Sequence, residues 1–172
     1  MKSKLQKIKM LLMDVDGVLT DGGIIYSSAG EELKIFNVQD GMGITLAAMG
    51  GLKTGLITGR TSDVVQRRAK ELKFDVISQG NFHKLTEYER IRDEFHLQDD
   101  EIAYIGDDIL DMSILKRVGF SVAVANARDE VKAICDYITI SRGGQGAVRE
   151  VVDKLLKHQD KFFKLLDELQ VQ

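Results

Sequence analysis

Two carboxylates two residues apart, Asp14 and Asp16, follow the apolar run Lys9-Met10-Leu11-Leu12-Met13 and lead into Gly17-Val18-Leu19-Thr20-Asp21-Gly22. Three later apolar runs end in groups of similar character. Ile57 is followed by Thr58-Gly59-Arg60, Ser78 by Gln79-Gly80 and then Lys84, and Tyr104-Ile105-Gly106 by Asp107, Asp108 and Asp111. A single acid in such a place is equally well explained by capping of the next turn. Four strand ends that together supply carboxylates, a hydroxyl and an ammonium are not. If the strands run parallel, all of these groups meet at one edge of a sheet, where open parallel sheets bind ligands.

This set suits phosphoryl transfer through an aspartyl-phosphate. A carboxylate nucleophile and a phosphate repel by about 4 kcal/mol per charge pair at ~4 Å and an effective dielectric of ~20. A hard divalent cation between the oxygens removes that repulsion, and oxygen-only ligands suit magnesium. Lys84 can stabilise charge on the transferring group and Thr58 can donate to a phosphoryl oxygen. A second carboxyl group can protonate the leaving oxygen and then serve as base for water.

For the four groups to meet, strands must alternate with helices. Strand-length apolar runs occur at 8–13, 53–58, 75–78, 102–106, 121–125 and 137–140, with helical periodicity at about 41–50, 62–73, 82–96, 108–118 and 128–134. That alternation predicts an α/β fold with a doubly wound, mostly parallel sheet, its strands apolar throughout because both faces are covered. Ser62 and Asp63 stand where an N-cap and a first-turn acid belong. The whole chain, 1–172, reads as a single domain.

Two segments exceed that rhythm. Residues 22–37 read as a hairpin around Ser27-Ser28-Ala29-Gly30, with Ile24 and Tyr26 on one face, Ile25 on the other, and Leu33, Ile35 and Phe36 on the return. A two-stranded ribbon with apolar residues on both faces is marginal alone, so it either folds onto its own domain or is buried against other subunits. From Gly146 to 171, Val148, Val152, Leu155, Phe162, Leu166 and Leu169 keep a near-3.5-residue period, broken at Gln159. One C-terminal helix over this span is longer than strands of ~6 residues need for cover, so its end is expected to project.

Composition narrows the classes. The 172 residues are 44% hydrophobic and 30% charged with a net charge of −3, so no basic footprint for nucleic acid exists. No run approaches the ~18 apolar residues of a membrane span, and the basic start meets Asp14 too soon for a signal peptide. Cys135, the one cysteine, allows neither an intrachain disulfide nor a zinc pattern, and a reducing, cytoplasmic setting is expected. His83, His96 and His158 are scattered, and Gly41-Met42-Gly43 lacks the third glycine of a dinucleotide site. Gly143-Gly144-Gln145-Gly146 fits an anion cradle or a plain strand-to-helix turn equally well.

In their order and spacing, Asp14-x-Asp16, Thr58, Lys84 and Gly106-Asp107-Asp108-x-x-Asp111 resemble the four motifs of the haloacid dehalogenase superfamily over residues 8 to 152. The resemblance implies Asp14 as nucleophile and Asp16 as general acid/base, with Thr58 and Lys84 holding the phosphoryl group. It implies a magnesium ion held by Asp14, Asp107 and Asp16, the last through its backbone carbonyl. Asp108 and Asp111 are left between outer contacts of the metal and acids favoured at a helix start.

The strings at 14–22 and 57–60, Gln79-Gly80 with Lys84, and the string at 143–151 are similar to those of the capless family of 3-deoxy-D-manno-octulosonate 8-phosphate phosphatases. That likeness implies a sugar-acid phosphate substrate serving lipopolysaccharide core synthesis, and no cap domain. It also implies a homotetramer assembled through the 22–37 hairpin. Arg60, with Gly59, Thr58 and Lys84, would bind the substrate, Arg60 pairing with its carboxylate; Arg67 and Arg68 suit a solvated helix face. A nine-carbon sialic-type sugar phosphate is the alternative substrate. A phosphorelay receiver and a non-catalytic assembly protein are the rival classes. Asp16 argues against a receiver, because it supplies the acid/base that a long-lived signalling phosphate must avoid. Two departures from the family are the missing proline around 125–128 and a C-terminus patterned as helix rather than as a tail.

Overall fold

The apolar runs become the strands of a six-stranded sheet in which every pairing is parallel. This computed structural model describes residues 2–170. The strands are β1 (Met10–Met13), β4 (Lys53–Ile57), β5 (Val76–Ser78), β6 (Ile102–Gly106), β7 (Phe120–Ala123) and β8 (Tyr137–Ile138), in the order β5-β4-β1-β6-β7-β8. Central β1 pairs with β4 on one side and β6 on the other, with Leu12 opposite both Gly55 and Tyr104. Every residue of β1 and β6 is buried, which is why those stretches carry no polar alternation. The chain winds outward from β1 through β4 and β5, then crosses back to β6. The order therefore reverses between β1 and β6, and a crevice opens at their carboxyl ends.

Helices link the strands: α1 (Lys2–Lys7), α2 (Val38–Met49), α3 (Asp63–Glu71), α4 (Lys84–Glu94), α5 (Met112–Leu115), α6 (Asp129–Lys132), α7 (Ala147–His158) and α8 (Phe162–Glu168). Ser62 caps α3 by accepting from Val65 N at 3.3 Å, as its position predicts, and Asn37 caps α2 through Gln39 N at 2.7 Å. Helix α2 packs along α7. Buried Asp40 in its first turn accepts from Gly146 N (3.2 Å) and Arg149 N (2.9 Å), so one carboxyl satisfies two of the orphan amides that open α7. Gly43 allows the close approach, since a Cβ there would lie 2.9 Å from Arg149 Cα.

Two expectations need correction, and one element has no counterpart among them. The helix expected over 146–171 is two helices, α7 and α8, separated by a turn in which Asp160 adopts a φ of +55°. The break follows the interrupted seam: Gln159 Nε2 donates to the carbonyls of Leu5 (3.0 Å) and Ile8 (2.8 Å), anchoring the chain where an apolar residue would have continued the stripe. Leu165 then buries against the core instead of projecting; Val171, the last position of the expected helix, lies outside the described residues. The helix expected at 108–118 shrinks to α5 after a 3-10 turn over Ile109–Asp111, because Asp108 and Asp111 form a reciprocal cap there. Helix α1 was not foreseen; it is short and basic, with Leu5 as its buried anchor.

The remaining strands, β2 (Ile25–Tyr26) and β3 (Glu32–Leu33), form a separate antiparallel hairpin between β1 and α2, with Ile25 opposite Leu33 and Tyr26 opposite Glu32. Ile25, Leu33 and Ile35 on one face are exposed, and so are Ile24 and Tyr26 on the other, where the Glu32 and Lys34 side chains turn toward the sheet edge.

Candidate active site

The crevice beyond the strand ends holds a cavity of about 230 Å³ whose walls include Asp14, Asp16, Thr58, Arg60, Lys84 and Asp107, with Gly59 and Phe82 at its side. Every residue expected to act in the chemistry therefore lines one space. A larger depression of about 530 Å³ lies near residues 6–9 and 98–101, beside the opposite ends of β1 and β6, and holds none of these groups.

Asp14 directly follows β1 and Asp107 directly follows β6, so parallel pairing sets them side by side. Lys84 opens α4 and is buried, its ammonium 2.9 Å from Asp14 Oδ1 and 2.8 Å from Asp111 Oδ1. Single carboxylate oxygens of Asp14, Asp107 and Asp111 all lie within 4.8 Å of one another. Three acids around one ammonium leave an excess of negative charge. Burial, then the Asp111 charge, pushes the Asp14 carboxyl up to about 7 against the pull of Lys84. Burial, then Asp14 and Asp111, pushes Asp107 up to about 8. Burial alone would lower Lys84, but the charges of Asp14 and Asp111 more than reverse this and hold it above its ordinary value.

The acids are not equivalent. Asp111 Oδ1 accepts from Lys84 and from the Tyr104 hydroxyl (2.7 Å), and Oδ2 accepts from Asp107 N (3.0 Å) and Asp108 N (3.3 Å). Both its oxygens are engaged, so it braces Lys84 and the 107–108 backbone. Exposed Asp108 caps Ile109 N at 2.7 Å. Asp107 Oδ1, in contrast, is buried without a hydrogen-bond partner among the described residues. An orphaned buried oxygen beside Asp14, in an all-oxygen set with surplus negative charge, fits a hard divalent cation.

Asp16 faces elsewhere. Its Oδ1 is paired with Lys34 from the hairpin, and its Oδ2 lies 3.8 Å from Arg60 Nε. The Asp16 side chain thus stands outside the acid cluster, which leaves its backbone carbonyl as the group to offer a metal. Arg60 Nη2 donates to Tyr26 OH and Glu32 Oε1, each at 3.0 Å, and Glu32 also accepts from the Ser62 hydroxyl. Thr58 is buried at the end of β4, its Oγ1 accepting from Arg60 N at 3.4 Å. Arg67 and Arg68 pair with Glu71 on α3, away from the cavity.

The glycine cluster resolves as a turn. Gly143 N donates to Asn126 Oδ1 (2.7 Å), Gly144 N to Val18 O (2.9 Å) and Gly146 N to Asp40, leaving those amides with protein acceptors. A Cβ on Gly143 would sit 1.7 Å from Gly17 O. The turn therefore presses on the loop that carries Asp14 and Asp16.

Three contributors were missed in the sequence: Lys34, Glu32 and Tyr104. The alternation Glu32, Lys34, Phe36 against Leu33, Ile35 marks a two-faced strand and was a usable signal for the first two. Nothing in the sequence pairs Tyr104 with Asp111.

A family model for haloacid dehalogenase-like hydrolases matches residues 65–151. The chain is similar to the 3-deoxy-D-manno-octulosonate 8-phosphate phosphatase of Escherichia coli K12, 42% identical over 159 residues that cover 92% of this chain and 85% of that one. It is similar in structure to the phosphatase of that name from Moraxella catarrhalis, solved with magnesium, phosphate and the sugar acid KDO (TM-score 0.95, 42% identity, 98% and 97% of the two chains). A cobalt-bound Haemophilus influenzae deoxy-D-mannose-octulosonate 8-phosphate phosphatase is also similar, with a TM-score of 0.89 and 36% identity over 92% and 93% of the chains.

Proposed function

The chain belongs to the haloacid dehalogenase-like hydrolases, and from that premise we propose that it is a magnesium-dependent phosphatase that hydrolyses 3-deoxy-D-manno-octulosonate 8-phosphate. The observation that carries this reading is the pair Asp14 and Asp107 at the crevice between β1 and β6, with Lys84 on one side and the unpartnered Asp107 Oδ1 on the other. A receiver-like domain is set aside by the same family membership.

Asp14 attacks phosphorus, the bond from phosphorus to the sugar oxygen breaks, and that oxygen takes a proton from Asp16. Asp16 then takes a proton from the water that attacks the aspartyl-phosphate, which releases phosphate and restores the Asp14 carboxylate. Lys84 and Thr58 hold phosphoryl oxygens throughout. Asp14, Asp107 and the Asp16 carbonyl would hold magnesium, which supplies charge neutralisation between carboxylate and phosphoryl oxygens when bound. Arg60 is the group for the substrate carboxylate: it lines the cavity, and its Nη2 is fixed by the hairpin.

The outward hairpin face, with Ile25, Leu33 and Ile35 exposed, supports assembly through the hairpins of further copies, which we put at four. No helix of the described residues is long and apolar enough to cross a membrane. A cytoplasmic setting belongs to the proposal and is supported by the single, free cysteine.

Phosphate release from the eight-carbon and the nine-carbon sugar-acid phosphates, each with magnesium and with chelator, tests the assignment. Magnesium-dependent preference for the eight-carbon substrate is expected. Preference for the nine-carbon compound would move the specificity, and release unaffected by chelator would remove the mechanism.

A further inference from the structure

Lys34 stands outside the four motif segments, yet its ammonium is paired with Asp16. Its side chain is 1% exposed, and its Nζ also lies 3.6 Å from Glu32 Oε1. A buried ammonium is tolerated only when paired. The partners are specific: Asp16 arrives from the end of β1, and Glu32 is held in turn by Arg60 and the Ser62 hydroxyl. Lys34 occupies Asp16 Oδ1 alone. Oδ2 is turned toward Arg60 Nε across 3.8 Å, a gap longer than a hydrogen bond, beside a donor that has no partner among the described residues.

We propose that Lys34 is a positioning residue that clamps Asp16 by Oδ1, so that Oδ2 alone faces the sugar oxygen released from phosphorus. This rests on the phosphatase reading above and adds to it that proton delivery is aligned from the hairpin. A side chain free to rotate about χ1 and χ2 would present either oxygen in several directions. The clamp removes that freedom before substrate arrives. Lys34 does not line the cavity and its side chain is enclosed, so its influence on the chemistry passes through Asp16.

The test compares two leaving groups. The sugar primary alkoxide needs a proton as it departs, whereas p-nitrophenolate does not. In Lys34→Met, kcat for the sugar-acid phosphate falls roughly a hundredfold, within the usual range for acid–base contributions, with KM held within about threefold. The pre-steady-state burst of p-nitrophenolate keeps its rate within about threefold of wild type, because the first step no longer depends on Asp16. Adding Lys34→Met to Asp16→Asn costs nothing further, since the group being positioned is already gone. Lys34→Arg recovers most of the loss. If Lys34→Met melts well below wild type, Lys34→Gln is read by the same ratio of leaving groups.

Equal losses on both substrates, a rise in KM alone, or a multiplied loss in the double variant would overturn the assignment. Failure of the phosphatase reading looks different. The unaltered protein would then show no magnesium-dependent burst at all.

Discussion

The Lys84 ammonium touches Asp14 and Asp111 at nearly equal distances, 2.9 and 2.8 Å, and what else those acids touch assigns the nucleophile of the proposed mechanism. Asp111 is enclosed by a tyrosine hydroxyl and two backbone amides, while Asp14 lines the cavity. Asp14→Asn is therefore expected to cut phosphate release by roughly a thousandfold or more while leaving the thermal midpoint unchanged or raised, because it removes a buried like charge. Asp14 and Asp107, pushed up to about 7 and about 8, bind more protons folded than unfolded. Their ordinary value is near ~3.9, so chelated protein should lose stability steadily as pH rises from about 5 to 8. Magnesium binds the deprotonated acids and should raise the melting temperature more at pH 8 than at pH 5.5. A midpoint that climbs with pH in chelator would contradict this. The acids were legible in the sequence because each terminates an apolar run, and a run's end is visible in one dimension. The bracing role of Asp111 was not. It depends on Tyr104 and on backbone amides that converge only after folding.

At the level of elements, strand placement followed from apolar runs, and the errors gathered where a single polar residue redirects the chain. Gln159 turns one expected helix into two by hydrogen bonding to Leu5 and Ile8, and periodicity could register the interruption but not its partner. The hairpin was visible as two short runs around a Ser/Gly turn, and the alternation over 32–36 marked Glu32 and Lys34 as sharing a face, but which partners they meet needed the folded hairpin. Two element junctions bear directly on the site. Gly143→Ala would force a methyl group against Gly17 O and displace the loop carrying Asp14 and Asp16. It should cost about 1–3 kcal/mol together with most of the turnover, seen in parallel urea melts and phosphate-release assays. Asp40→Ala leaves the Gly146 and Arg149 amides without their acceptor. It should cost about 1–3 kcal/mol in the same melts with a smaller effect on turnover, since Asp40 does not line the cavity.

Across the whole molecule, a sheet covered on both faces leaves its carboxyl edge as the open side, and the hairpin is the one insertion between β1 and α2. If copies assemble through the hairpins as proposed, the Leu33→Asp and Ile35→Asp double substitution is expected to reduce the mass to that of a monomer in light scattering, because it places charge on the exposed apolar face. An unchanged mass would remove the hairpin from the interface. Along 32–35 the outward residues are those a neighbouring copy would cover, and the alternating inward ones are Glu32 and Lys34, which reach Arg60 and Asp16. Under the proposed assembly and mechanism, one short ribbon would carry quaternary contacts on one side and, through Lys34 and Asp16, the proton-transfer geometry on the other. Turnover per chain should accordingly decline on dilution, with a lag that follows subunit dissociation, and recover when the sample is concentrated again.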